Sequence, residues 1–270
     1  MRHHKPRHTR KPGIFKQLTP WLGAALCLVL VIALWPRISL NAASQTTTGQ
    51  AAEDSQDTSS GPSATPSLTV QEDPPWYLRL VNRDHPLPQD FTVEVVSVQD
   101  GQFDSRAAED LKQMLADMEA QGLSPLICSS FRTWEDQETL HQEEVANYQN
   151  QGLSQEEAEK EASRWVVPAG QSEHQLGLAA DIVAQGFQIL EEEQESTPEQ
   201  QWLMTHCWEY GFILRYPKDK EALTGVGYEP WHYRYVGQEA AREITEQKLC
   251  LEEYVEQLER GGQLASSFCG

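Results

Sequence analysis

Hydrophobic positions fall into three regimes along the chain. From Leu18 to Trp35 they form a nearly unbroken run, Leu22-Gly23-Ala24-Ala25-Leu26-Cys27-Leu28-Val29-Leu30-Val31-Ile32-Ala33-Leu34 at its centre. At about 1.5 Å per residue, these 18 positions make a helix of roughly 27 Å, enough to cross a bilayer core. Trp21 and Trp35 bracket the run where interfacial aromatic residues belong. Six basic residues precede it within positions 1–17, and only Arg37 follows closely. The segment therefore predicts a transmembrane anchor at 18–35, with residues 1–17 a cytoplasmic tail and the remainder outside the cytoplasm. The competing reading is a secretory signal peptide. Its apolar core would be long for that role, and Asn41-Ala42-Ala43 is a mediocre cleavage site. Residues 36–75 are polar and small, rich in Ser, Thr, Gln, Gly and Pro, and predict a disordered tether with little to bury.

Apolar positions regain short periods from Trp76 onward. Phe91–Val98 is β-branched and partly alternating, a strand pattern. Ala107, Leu111, Met114, Leu115 and Met118 recur at helical spacing before a stop at Gly122. Leu126–Ser129 predicts a short buried strand, and residues 133–163 a strongly charged helical stretch with a solvated face. Gly177–Val183 predicts a second core strand. Thr197-Pro198-Glu199-Gln200 has the form of a capping box with Pro at the first helical position, opening a helix that stops at Gly211. Phe212–Leu214 and His232–Val236 are further strands, and one helix from Gln238 to about Leu258 closes a domain spanning 76–260, with 261–270 a tail. Short strands mixed with helices, without regular alternation, predict an α+β fold.

Charge narrows the function. The protein has 270 residues with 21 Lys+Arg against 41 Asp+Glu. All the acids lie beyond Arg37, so residues 38–270 carry 14 basic against 41 acidic residues, a balance of −27. Nucleic acid is excluded as a partner, since phosphate contact needs Lys and Arg clusters. Glu191, Glu192, Glu193 and Glu195 form a solvated acidic loop rather than a calcium site. Cys128, Cys207, Cys250 and Cys269 all fall on the external side, where they have three possible pairings. Cys250 with Cys269 would staple the tail, while Cys128 and Cys207 also fit buried thiols.

Two short segments carry chemistry. In Ser172-Glu173-His174-Gln175-Leu176-Gly177-Leu178-Ala179-Ala180-Asp181, His174 and Asp181 are seven apart, which on one straight strand would place them on opposite faces. Gly177 permits a turn that frees His174 from that constraint. In Tyr228-Glu229-Pro230-Trp231-His232-Tyr233-Arg234, Glu229 lies one turn before His232. Two imidazoles and a carboxylate suit zinc and leave a coordination position open. A neighbouring carboxylate that is not a ligand, here Glu229, suits proton transfer from the activated water. His85, His141 and His206 read as ordinary structural or solvated histidines. Arg215 and Arg234 stay open between recognition of a substrate carboxylate and stabilisation of the fold.

With these motifs in order, the sequence resembles the zinc D-alanyl-D-alanine carboxypeptidases of the VanY type and the related L,D-carboxypeptidases. Leu80–Pro88, Ser129-Ser130-Phe131-Arg132-Thr133 with Gln137, and Gly211–Pro217 through Gly225 extend the resemblance over most of 76–237. Ser130 and Phe131 replace the more usual Gly and Tyr, and residues 141–166 and 185–197 look lengthened. The resemblance implies one domain with a small, mostly antiparallel sheet flanked by helices, as in hedgehog and DD-peptidase domains. It implies zinc on His174, Asp181 and His232, Glu229 as base and then acid, and Arg132 as the cation facing the oxyanion. It places Ser129, Ser172 and Gln137 in the substrate pocket, although Ser172 equally suits capping of the His174 turn. The implied substrate is a peptidoglycan stem peptide ending in D-alanine. An L,D-carboxypeptidase acting on tetrapeptides is the alternative. A non-catalytic wall-binding domain is disfavoured, because no ligand, base or arginine of the motif is missing.

Overall fold

The computed structural model describes residues 75–268. The predicted cytoplasmic tail, anchor and nearly all of the tether lie outside them, as does Cys269. Among the described residues no helix is long and apolar enough to cross a membrane.

The centre of the domain is a four-stranded antiparallel sheet. Its strands are β3 (Pro125–Ser129), β4 (Ala179–Ala184), β5 (Phe212–Leu214) and β6 (His232–Tyr235), in spatial order β3-β4-β6-β5. A separate antiparallel hairpin, β1 (Val95–Val98) with β2 (Gly101–Asp104), joins it through the main chain. Phe131 N donates to Gln102 O (3.0 Å) and Asp104 N to Gly177 O (2.8 Å). The α+β expectation with a small antiparallel sheet therefore holds.

All six residues of β4 are buried, and its two faces do different work. Ala180 and Ile182 join Tyr233, Tyr235 and Phe212 in the main core, packed with Leu111, Met114 and Met118 of α1 (Ala108–Ala120) and Leu203 from a later helix. With a side-chain period of two, Asp181, His232 and Arg234 must then face the other way. The sequence thus makes one face an oily floor and the other a polar one.

Several elements differ from expectation. Only Val95–Val98 of the predicted strand 91–98 pairs, because its partner β2 is four residues long. The charged stretch 133–163 is two helices, α2 (Trp134–Asn150) and α3 (Gln155–Ala162). Gly152 at φ 99° breaks them apart, and Ser154 and Glu157 form a capping box that starts the second. They share a small core of Val145, Ala158 and Ala162. The predicted capping box at 197–200 is half made. Thr197 accepts from Gln200 N at the start of α4 (Pro198–His206), but the Gln200 side chain turns inward, donating to Ile182 O and accepting from Tyr233 Oη. Burial between the sheet and α4 outcompetes the local cap.

After a short α5 (Glu221–Thr224), the expected closing helix is also two. These are α6 (Gln238–Gln247) and α7 (Leu251–Phe268), separated at Lys248, which adopts a left-handed conformation at φ 56°. The expected tail at 261–270 begins inside α7. Gly261 and Gly262 cost a helix about 1 kcal/mol each without terminating it. Cys128, Cys207 and Cys250 form no disulfide with one another, and the Cys250–Cys269 pairing falls on a residue outside those described.

Candidate metal centre

Four pieces of chain build the site. The first is the end of β3. Ile127 pairs with Ile182 on the core face, yet Ser129, not Cys128, pairs with Asp181. This β-bulge at Cys128 inserts one residue and changes the phase of the strand. Ser129 thereby shares the polar face with Asp181, and the chain runs on through Ser130 to Arg132.

The second piece is a 3-10 turn, Glu173–Leu176. Ser172 caps it, its Oγ accepting from His174 N at 3.4 Å, and Gly177 closes it at φ 70°. A Cβ at position 177 would also lie 3.2 Å from Asp104 N, so the turn, the hairpin and β4 meet where only glycine fits comfortably. The turn lifts His174 out of strand geometry and lets it meet Asp181. Two bonds sew it to the first piece: Arg132 N donates to His174 O (3.2 Å), and His174 Nδ1 lies 2.7 Å from Ser130 O. The carbonyl must receive a proton, so Nδ1 carries it and Nε2 keeps its lone pair.

The third and fourth pieces are β4 and the segment entering β6. Asp181 and His232 are directly opposed cross-strand partners. Glu229 is held one turn earlier, with its N donating to Tyr216 O (3.2 Å) and its O accepting from His232 N (3.2 Å).

One nitrogen of each imidazole and a carboxylate oxygen of Asp181 lie within 4.8 Å of one another, and all three residues are buried. Among the described residues this is the only such group of three. His174 Nε2 is 3.3 Å from Asp181 Oδ2, and His232 Nδ1 is 3.1 Å from Asp181 Oδ1. His174 Nε2 and Asp181 Oδ1 are buried without hydrogen-bond partners. Buried polar atoms without partners are costly, and a cation among them removes that cost. Two nitrogens and one carboxylate oxygen converging in this way fit zinc.

The electrostatics agree. Burial holds the His174 imidazole down to about 4, with the nearby Arg132 charge adding to it against Asp181, so His174 is a neutral ligand at ordinary pH. Burial opposes ionisation of Asp181, but the two imidazoles outweigh it and keep the carboxylate charged. Burial also opposes a charge on His232, yet Asp181, Glu173 and Glu229 together raise it well above the usual imidazole range. Glu229 moves the other way from Asp181, its burial raising the carboxyl despite His232.

Each predicted site residue has a definite place. Glu229 Oε2 is 3.4 Å from His232 Nδ1, the nitrogen that faces the cluster. The Arg132 guanidinium is 3.9 Å from Asp181 Oδ2, with its Nε buried and unpartnered. Gln137, 1% exposed, donates to Val167 O at 2.6 Å and leaves Oε1 unpartnered. Ser172 is buried in the cap that it makes, and Ser129 is half-buried opposite Asp181. His85 pairs with Asn82, His141 with Val166 O and His206 with Glu209, all apart from the cluster. The acidic loop carries no such three-residue group, and Glu192 and Glu195 pair with Lys218.

The question left open for Arg215 and Arg234 is answered by their burial. Both are 0% exposed and both donate to Glu173 Oε1, at 2.8 and 2.6 Å. Arg215 also makes a bidentate pair with Glu252 of α7, at 2.9 and 2.7 Å. They support the site from behind and are spent on these carboxylates. Glu173, in the middle of the motif, was missed by sequence reasoning. Its signal was its position beside His174 and the presence of two arginines without an assigned partner.

The family described as VanY, D-alanyl-D-alanine carboxypeptidase, matches residues 100–238. The chain belongs to this family. A D-alanyl-D-alanine carboxypeptidase of Enterococcus faecalis (strain ATCC 700802 / V583) is 38% identical over 265 residues, covering 94% of each chain. Among solved structures, VanYB in complex with D-alanine-D-alanine is 43% identical, with a TM-score of 0.62 over 67% of this chain and 98% of that one. A Glu-to-Ala mutant of a VanY D,D-pentapeptidase from a VanB-type resistance cassette, in complex with Zn(II), is 42% identical, with a TM-score of 0.61 over 67% and 99%. The LD-carboxypeptidase LdcB is 35% identical, with a TM-score of 0.58 over 66% and 84%. This VanY member is a metallo-carboxypeptidase, and its His174–Asp181–His232 group is positioned to bind the zinc ion.

Proposed function

We propose that this VanY-family enzyme removes the terminal D-alanine from peptidoglycan stem peptides, and that it works outside the cytoplasm, tethered through residues 18–35. The observation carrying the reaction is the convergence of His174, Asp181 and His232 beside a buried carboxylate, Glu229, whose proton affinity is raised. Zinc, when bound, supplies Lewis-acid polarisation of the scissile carbonyl and lowers the pKa of water.

The protein's own groups do the rest. Glu229 takes the proton of the attacking water and returns it to the leaving amine of D-alanine; a carboxyl with a raised pKa is better matched to both transfers than an ordinary glutamate. Arg132 holds a permanent charge beside Asp181, with a free N–H, and stabilises the oxygen on which negative charge develops. Gln137 offers a buried acceptor, Oε1, to a substrate N–H. In this reading Ser129, paired with Asp181, and Ser172, beside His174, contribute to the pocket for the terminal D-alanine. The hydrogen bond to Ser130 O fixes His174 in the tautomer that leaves Nε2 free to ligate.

The likeness to LdcB favours a second reading, L,D-carboxypeptidase action on tetrapeptide stems. D-alanine leaves in both cases, so the metal site alone does not discriminate. Incubating the zinc-loaded protein with purified pentapeptide and tetrapeptide muropeptides separates them. D-alanine release from the pentapeptide is expected. Release from the tetrapeptide only would replace the first reading with the second, and release from neither would remove both.

A further inference from the structure

Resting on the zinc reading of the His174–Asp181–His232 group, we propose that Glu173 is the positioning residue for His232, receiving its Nε2–H and thereby aiming its Nδ1 lone pair at the metal.

The two imidazoles of the cluster face it through different nitrogens. His174 presents Nε2, because Nδ1 is committed to Ser130 O. His232 presents Nδ1, 3.1 Å from Asp181 Oδ1 and 3.4 Å from Glu229 Oε2. Its far nitrogen, Nε2, points away into the protein and is buried without a hydrogen bond. The group opposite it is Glu173 Oε2, 3.7 Å away, which is also buried without a hydrogen bond. These two orphaned atoms face each other, one a potential N–H donor and the other an acceptor. A small rotation of the ring completes the bond, and no other acceptor is assigned to that nitrogen.

Glu173 is suited to the task because it cannot turn. Its other oxygen, Oε1, accepts from Arg215 Nε and Arg234 Nη1, and its side chain is fully buried. Arg215 is braced in turn by the bidentate pair with Glu252, and Arg234 by the carbonyls of Tyr77 and Arg79. Oε2 is therefore fixed toward His232. A carboxylate behind a ligating imidazole fixes its tautomer and orientation, and removing one typically costs 10–100-fold in metal affinity.

Glu173→Gln makes the idea testable. The amide oxygen must take the place of Oε1, since both arginines only donate there. The NH2 group then faces His232 Nε2, which demands a lone pair on that nitrogen and moves the proton to Nδ1. The ligating nitrogen is blocked at nearly constant side-chain volume. Glu252→Gln is the control, because it weakens the same arginine network without touching His232.

Zinc affinity of the full protein, measured by competition with a chromogenic chelator, should fall 10–100-fold in E173Q and stay within about threefold of wild type in E252Q. Equal losses in the two variants would reduce Glu173 to a brace for the fold and overturn the proposal, as would an unchanged affinity in E173Q. Should E173Q fail to fold, long-range 1H–15N correlation of the wild-type zinc protein decides. His232 should carry its proton on Nε2 with the chemical shift of a hydrogen-bonded N–H, and a metal-bound Nε2, or an Nε2–H without that shift, would overturn the proposal. A wild-type protein that takes up no zinc would remove the site reading and this inference with it, whereas normal uptake by wild type and E173Q alike removes only this inference.

Discussion

Replacing Glu229 with Gln isolates the proton-transfer step. Glu229 is 6% exposed and sits one turn before His232, with Oε2 3.4 Å from the His232 nitrogen that faces the cluster. Gln has nearly the same volume, and the two main-chain bonds that hold the turn, Glu229 N to Tyr216 O and His232 N to Glu229 O, do not involve the side chain. The turn and the three candidate ligands therefore stay in place, and what disappears is a proton acceptor. Positioned general bases contribute about 10²–10⁴-fold, which corresponds to roughly 2.7–5.5 kcal/mol of barrier. E229Q should accordingly lose that factor in kcat for D-alanine release from a stem pentapeptide, with KM little changed and zinc content near that of wild type. The pH profile provides an independent check. Burial raises the Glu229 carboxyl, and only its ionised form accepts a proton. Wild-type kcat/KM should therefore fall toward acid pH as Glu229 takes up a proton. This acid limb should be missing from the residual rate of E229Q. A variant that keeps more than about a tenth of wild-type kcat, with the acid limb intact, would refute the assignment of the base.

Two further perturbations address the residues around this step. Arg132→Ala should lower kcat by about 10²–10³-fold, with Arg132→Lys intermediate because an ammonium lacks the planar fork; a change confined to KM would make Arg132 a ground-state binding group instead. Arg215→Met, which strips a fully buried cation from Glu173 and Glu252, should destabilise the metal-free protein by about 3–5 kcal/mol in urea unfolding. A loss below about 1 kcal/mol would show that the network contributes little to holding the fold.

How much of this was legible beforehand depended on whether the information was local. His174, Asp181, Glu229 and His232 announced themselves because their spacing encodes a turn and a strand entry, and the structure brings them together on one sheet face. The core face was equally legible, since Ala180, Ile182, Tyr233 and Tyr235 obey a period of two. Ser129 could not be placed by that rule. Ile127 is two residues before it and faces the core, and only the bulge at Cys128 reverses the phase. Nothing in Leu126-Ile127-Cys128-Ser129 marks a bulge. The break at Lys248 was hidden for a related reason: a lysine in left-handed conformation carries no glycine signature. Glu173 was harder still. A Glu beside a His on a turn is ordinarily solvated, and its burial depends on Arg215 and Arg234, which lie 42 and 61 residues away. Arg215 in turn depends on Glu252, on a helix beyond the 100–238 stretch that matches the family. The ligands of this centre are thus specified by short-range spacing, while the charges that hold them in register are specified by tertiary pairing across the whole domain. A truncation ending near residue 238 would keep every residue of the motif, yet it would remove Glu252, one of the two carboxylates paired with Arg215.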